Sequence, residues 1–503
     1  MRKSLSIQRQ TSTWSGSITN SLGAYSHLVS HFITKTVSFK FRGIDFLFGL
    51  SQGLFSSVEI DSGTRLLLKV FSKILDADQA AGKPLPVNVL DSGCGAGVIG
   101  ICAASAIRAL GGMARVRCQD RDELARLITV YNAVMNHIPI KMVEAYTEPL
   151  LAGKPSARWD LILTNIPAKA GKPVLEDFVT RSVNLLNDGG RVIIVAVQTL
   201  ADFLRKKITE TGARIEYEEK SHEHLVLACG GSARTAQAAP DITIQKYAPV
   251  SLGTGFMANY PFYRRATVNF EAEGVPLAID TVHGAPGFDR QSAAERAAIT
   301  LLERICDPLI LKREPNSPFH AAGSSLSILI HEPGQGFLPC WLHIFLCGIN
   351  TLYSQAADAK NPAMVFSGRN ILALEAARHN YERCGNRPCV IVPAADLKLG
   401  AESLHNAAAA CAQTTNAKNR QFSIIITFPE LLPHNCLPKD TDQFAALWES
   451  IPPLLCSGGV LIIGFNSTDA QRFDRKKPAG FIRLGNIKRD GFKALAYSLI
   501  NNG

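Results

Sequence analysis

No Cys-x-x-Cys pair occurs among the 12 cysteines of this 503-residue chain; the closest two are Cys384 and Cys389. Several cysteines sit in apolar stretches, as buried thiols do. This argues against a zinc site, and a reducing compartment is expected. Long apolar runs are also missing. The longest, FLPCWLHIFLCGI over 337–349, is too short and too interrupted to span a bilayer. The opening MRKSLSIQRQ lacks the apolar core of a signal peptide, so a cytoplasmic protein is expected. No long segment is poor enough in apolar residues to stay unfolded. Acidic residues are scarce relative to basic ones, 43 against 53, and pI is near 9.0. Residues 1–239 hold 28 Lys and Arg against 21 Asp and Glu, and the rest hold 25 against 22. A mild basic excess suits a polyanionic partner such as RNA, and many plain enzymes share it.

What is present is organised around VNVLDSGCGAGVIGICAA, residues 87–104. Val87, Val89 and Leu90 read as a short buried parallel strand closed by Asp91. Gly93, Gly95 and Gly97 follow, and an apolar helix starts at Val98. Glycines let the backbone turn sharply and approach a ligand that a Cβ would exclude. A dinucleotide loop is spaced G-x-G-x-x-G; here the pattern is D-x-G-x-G-x-G. That spacing resembles motif I of class I S-adenosylmethionine (SAM) methyltransferases. A nucleotide-type loop in another α/β enzyme is the alternative at this point.

At this length two or three domains are expected. Residues 1–35 form a polar N-terminal extension, and a strand-like run begins at Thr36. Asp61 and Ser62 mark a helix N-terminus. After the glycine loop, strands are expected over 115–119, ending at Asp120, and over 141–145, 159–165, 213–218 and 224–228, while 185–197 reads as a helix end, a glycine turn and a further strand. Strands alternating with helices make a doubly wound sheet over 36–229. Residues 230–240, rich in Gly, Ala and Ser, read as a linker. The remainder, 241–503, repeats the first half in order. Thr36 aligns with Thr267 and Arg65 with Arg296. Gly95 and Gly97 fall on Gly334 and Gly336, DRDELARLITVYN on GRNILALEAARHN, and Pro167 on Pro429. The expected architecture is therefore a duplicated α/β fold; the motif I resemblance implies two tandem Rossmann-like class I methyltransferase domains, each a seven-stranded, mostly parallel sheet with helices on both faces.

SAM needs open backbone for its methionine end and a carboxylate for its ribose diol. Gly93 to Gly97 offer the first. Asp120, at the end of the second strand, stands where the methyltransferase pattern places the second; a helix N-cap is its alternative role. Asn165-Ile166-Pro167-Ala168 resembles motif IV, N-P-P-[FY], of methyltransferases that act on planar amino groups. In that family the Asn side chain and the next backbone carbonyl accept from the target amine. Ile166 and Ala168 depart from the pattern, and the missing aromatic removes a stacking surface for a base. The candidate catalytic residues are Asn165, Ile166 and Pro167. The candidate cofactor-binding residues are Asp91, Ser92, Gly93, Cys94, Gly95, Gly97, Asp120 and Asn165. No metal ligands are expected.

GLFSSVEIDSGTRLLL (53–68), LDSGCGAGVIGI (90–101) and TNIPAKAGK (164–172) together resemble the ribosomal RNA small-subunit guanine-N2 methyltransferase family. The resemblance covers about residues 36–229. It implies SAM as cofactor, a guanine exocyclic amine in ribosomal RNA as acceptor, and ribosomal RNA or a ribosomal subunit as partner. Long members of that family carry two such domains with the second one active; here the first keeps the motifs. Lys169, Lys172 and Arg205-Lys206-Lys207 are either phosphate contacts or solvated surface charges. In the second copy Asp91, Gly93, Asp120 and Asn165 become Ile330, Glu332, Gly368 and Thr427. A degenerate duplicate is therefore expected. Residues 337–349 read either as a domain interface or as a core helix. Methylation of a protein amide or amine, and a non-catalytic RNA-binding or assembly role, are the competing functions.

Overall fold

Short runs of Val, Ile and Leu buried on both faces form parallel strands. The computed structural model describes residues 29–55, 57–139, 141–152, 157–230, 255–306, 326–353, 363–385, 389–411, 421–437 and 441–500. Residues 1–28 of the expected N-terminal extension and 231–240 of the expected linker lie outside these. The first half builds β1 (Lys35–Phe41) and β2 (Ile44–Leu50) as an antiparallel hairpin that, among the described residues, pairs with no other strand. Its sheet contains β3 (Asn88–Ser92), β4 (Arg115–Asp120), β5 (Val143–Thr147), β6 (Trp159–Asn165), β7 (Leu186–Val197), β8 (Arg214–Lys220) and β9 (His224–Gly230). Their order is β5-β4-β3-β6-β7-β9-β8, parallel except for β9 against its two neighbours. β9 runs to Gly230, one residue past the expected domain boundary.

The second half repeats this architecture. β10 (Arg264–Ala272) and β11 (Val275–Val282) form a hairpin. A sheet follows from β12 (Ser327–His331), β13 (Ala363–Gly368), β14 (Val390–Pro393), β15 (Phe422–Thr427), β16 (Leu455–Asn466), β17 (Phe481–Arg489) and β18 (Phe492–Leu499). Its order, β14-β13-β12-β15-β16-β18-β17, is that of the first sheet.

Period-two alternation sends neighbouring residues to opposite faces. Val89, Leu161, Leu163 and Ile193 join the core under helices Ser62–Ala80 and Val98–Ala109. Leu90, Ile162, Val192 and Ile194 join the core under helices Lys172–Asn184 and Ala201–Glu210. That second core does not stop at the end of the first half. Phe256, Met257, Tyr260, Tyr263, Val282, Leu372 and Ala376 complete it. The two halves are thus packed into one body, which the linker reading gave no reason to expect.

Residues 337–349 open the helix Phe337–Tyr353. Phe337, Leu338 and Trp341 are buried in the second half's own core, and Trp341 stacks on Phe345 at 4.7 Å. The segment is a core helix. Among the described residues no helix is long and apolar enough to cross a membrane. No group of three or more His, Cys, Asp or Glu there is placed to hold a metal ion.

Candidate active site

A cavity of about 560 Å³ opens beyond the carboxyl ends of β3, β4 and β6, where open α/β sheets bind their ligands. Gly93, Cys94, Gly95, Asp120, Asn165, Ile166 and Pro167 line it. Gly93 and Gly95 adopt φ of +75° and +53°, and a Cβ on either would point into open space. That left-handed backbone favours glycine, and the bareness of glycine leaves the cradle clear.

Asp91, Ser92 and Gly97 stand behind the lining and hold the loop instead. Asp91 and Ser92 are fully buried. Asp91 Oδ2 accepts from the Gly100 amide at 2.8 Å. Burial pushes its pKa up to about 7 against that hydrogen bond. Gly97, at φ +78°, lies so close to Thr129 that a Cβ would stand 2.8 Å from its methyl group.

Asp120 bridges loop and helix. Oδ2 accepts from the Gly95 amide and Oδ1 from the Asp122 amide, both at 3.0 Å. The N-cap of the following helix is Asp122, so Asp120 is not a cap. Each carboxylate oxygen keeps a lone pair for a further donor. Burial, and then the charge of Asp122, raises its pKa above the ordinary carboxylate value.

Asn165 ends β6, half-buried. Its Nδ2 donates to Asp61 Oδ1 at 3.1 Å and to Thr64 Oγ1 at 3.2 Å. Asp61 is also the N-cap of helix Ser62–Ala80, accepting from the Thr64 amide at 3.0 Å. The D-x-G-T segment thus both starts a helix and fixes the rotamer of Asn165. With Nδ2 engaged, the carbonyl oxygen is the group that remains for a ligand amine. Ile166 is buried and its amide donates to Val195 O at 3.0 Å, which locks the strand end.

The basic residues divide. Arg205 pairs with Glu218 at 2.9 Å and Lys207 with Glu210 at 2.9 Å, so that cluster is a set of surface ion pairs. Lys169 is exposed and lines the cavity.

Residues that sequence reasoning missed come from elsewhere in the chain. Asp61, Thr64 and His224 line the cavity from the first half, and Tyr263, His283, Gly284 and Leu372 from the second. The D-x-G segment contained the signal for Asp61; nothing local marked His283.

Residues 46–224 match the family model described as "Methyltransferase small domain". Bacillus subtilis YbxB, an uncharacterized protein, is 33% identical over 162 residues, 32% of this chain and 73% of that protein. The chain belongs to the methyltransferase small domain family. It is a class I SAM-dependent methyltransferase, and the glycine cradle and Asp120 fit that cofactor. Within the family, ribosomal RNA small subunit methyltransferase C of Actinobacillus pleuropneumoniae serotype 3 is 32% identical over 147 residues. That match spans 28% of this chain and only 40% of the relative's length. A solved structure, the T. thermophilus 16S rRNA N2 G1207 methyltransferase (RsmC) in complex with AdoMet and guanosine, superimposes with a TM-score of 0.50 at 14% identity. The superposition covers 93% of this chain and 99% of that one, so both halves of the tandem fold are shared.

In the second half the equivalent site is filled by its own side chains. Glu332 takes the place of Gly93 and keeps its left-handed backbone, at φ +57°. Its carboxylate lies over Gly368, the counterpart of Asp120, where a Cβ would stand 2.9 Å from Oε2. Glu332 Oε1 accepts from the Arg369 amide at 2.7 Å. Glu295, the counterpart of Thr64, is buried against Gly334.

Proposed function

We propose that the chain methylates the exocyclic N2 of a guanine in ribosomal RNA, acting in the cytoplasm on RNA or a ribosomal subunit. Residues 36–229 are the catalytic unit and 241–503 the degenerate one. The observation that carries the reading is the arrest of Asn165 by Asp61 and Thr64. It leaves the side-chain carbonyl of Asn165 oriented as an acceptor beside the cofactor cradle.

SAM, when bound, supplies an electrophilic methyl group. Gly93, Cys94 and Gly95 would hold its methionine end, and Asp120 would accept from its ribose hydroxyls. Asp91, Ser92 and Gly97 support the loop from behind. Asn165 and the backbone carbonyl of Ile166 accept from the target NH2, and Pro167 shapes the entrance. A guanine amine is a weak nucleophile because its lone pair is delocalised into the ring. Orientation and polarisation therefore supply much of the rate. The proton leaves after transfer, so no general base is assigned.

The test is Asn165→Ala, assayed on small-subunit RNA with mass spectrometry of the nucleosides. SAM affinity should hold while transfer falls by roughly 10²–10³. Replacing the target guanosine by inosine, which lacks the amine, should abolish transfer by the wild type. Methyl groups found on a protein glutamine or amine, with RNA unmodified, would favour the amide reading instead.

A further inference from the structure

We propose that the second half builds one wall of the acceptor site: the His283 imidazole is the face on which the planar base of the substrate stacks. This rests on the guanine reading above and adds the surface which that reading lacks.

The first half has no ring at the motif IV aromatic position, where Ala168 stands. His283 arrives there from the other half. It lines the same cavity as Asn165 and Pro167. Its imidazole sits on the bare backbone of Gly171, in the loop that leaves Asn165, and any Cβ on Gly171 would collide with the ring. Gly171 takes φ +95°, so glycine is demanded twice.

The backbone that carries the ring is held on both sides. The His283 amide donates to Tyr263 O at 2.7 Å. The preceding Val282 amide donates to Gln335 Oε1 at 2.7 Å, and Asn370 Nδ2 donates to the following Gly284 O at 2.9 Å. Tyr263 is buried in the core shared by the two halves, in contact range of Phe256 at 5.7 Å between centroids. His283 itself remains half-buried, with surface left toward the cavity. Burial, with Arg265 nearby, lowers its pKa, so the ring is neutral near pH 7 and presents an uncharged π-face. Phe55, exposed on the first half, lines the cavity too. A cavity with aromatic faces and one oriented carbonyl is shaped for a flat heterocycle bearing an amine. Base–aromatic stacking is indifferent to which base is present, so His283 contributes affinity and Asn165 contributes selection.

The experiment uses the full chain saturated with S-adenosylhomocysteine and a short, labelled, single-stranded RNA carrying one guanosine, or inosine in its place. Affinity is read by fluorescence anisotropy. His283→Ala should weaken both RNAs about tenfold and by equal factors, since the ring acts on the base plane. His283→Phe should restore most of the loss. Asn165→Ala should instead erase the preference for guanosine over inosine. SAM affinity measured by calorimetry should be unchanged in His283→Ala, which separates a lost wall from a damaged fold. Wild-type affinity in His283→Ala, alongside a normal guanosine preference, overturns this inference alone. A wild type that binds SAM but neither RNA overturns the guanine reading and this inference with it. Gly171→Ala, which pushes the ring aside from below, should reproduce the His283→Ala loss; if it binds as wild type, the wall is not His283.

Discussion

Asn132 and Asn380 perform the same task in the two halves. Asn132 accepts from the Gly49 amide at 2.7 Å and donates to Gly49 O at 3.0 Å and Ala96 O at 2.8 Å. Asn380 accepts from the Asp280 amide at 2.9 Å and donates to Asp280 O at 2.8 Å and Gln335 O at 2.9 Å. Each clamps its hairpin to its glycine loop. The clamp survives where the cofactor groups do not, so it serves the fold. The join between the halves obeys the same symmetry. Glu123 N donates to Arg369 O and Ile371 N to Arg121 O, both at 2.9 Å, around an antiparallel bridge of Asp122 with Asn370.

The clamps should separate stability from binding. Asn132→Ala and Asn380→Ala each remove the partner of three backbone groups, at about 1–3 kcal/mol for each buried group left unpaired. Both should lower the melting temperature. Only Asn132→Ala should weaken SAM, because only its loop forms a cradle. Calorimetry should return one SAM site per chain in the wild type and in Asn380→Ala.

Asp120→Ala should weaken SAM by about 1.5–3 kcal/mol, the value of a hydrogen bond to a charged group. The ionised carboxylate is the better acceptor, and its pKa is raised. Affinity should therefore fall on acidification at a higher pH than an ordinary aspartate would give. Asp120→Asn should flatten that limb of a calorimetric pH series.

Asp61→Ala removes an N-cap, costing about 1 kcal/mol of stability, and frees the Asn165 side chain. Transfer should slow more than this loss of stability explains, with SAM affinity unchanged. Asp61→Asn, which can still cap, should recover the stability. Equal rates in Asp61→Ala and wild type would separate Asp61 from the acceptor site.

Glu332 reports on the filled site. Burial, and then Glu430, push its pKa up to about 8 in the folded chain, against about 4.3 when unfolded. The folded state thus holds the proton more tightly. Its contribution to stability is complete below the unfolded value and is lost as pH rises through about 8. Glu332→Gln stays neutral. Denaturant melts from roughly pH 5 to pH 9 should show the variant losing less stability than the wild type, by on the order of a few kcal/mol.

A chain ended after Gly230 should not fold cooperatively. It exposes Val174, Leu175 and Phe178, which Phe256, Tyr260 and Tyr263 cover in the intact core. Burial of each large apolar side chain is worth about 1.5–3 kcal/mol. Size-exclusion chromatography should find aggregate. A monomeric fragment that melts sharply and binds SAM as the full chain does would contradict the shared core.

The sequence alone determined the repeating strand–helix series, the glycine loop and the loss of polar groups in the second copy. These follow from local rules: apolar runs make buried strands, and left-handed turns favour glycine. Motif spacing also located Asp120 and Asn165 at strand ends. Tertiary structure decided the rest. Whether a loop residue faces the cavity or the core depends on what packs beneath it, so Asp91 and Ser92 lie behind the lining while Cys94 lies in it. Asp61 meets Asn165 only because the Ser62–Ala80 helix is laid against β6. His283 reaches Gly171 only because two halves with the same fold pack across a near-twofold join. Contacts between residues so distant in the chain leave no periodicity or spacing to read. They arise when apolar surface left over on each half is buried against the other.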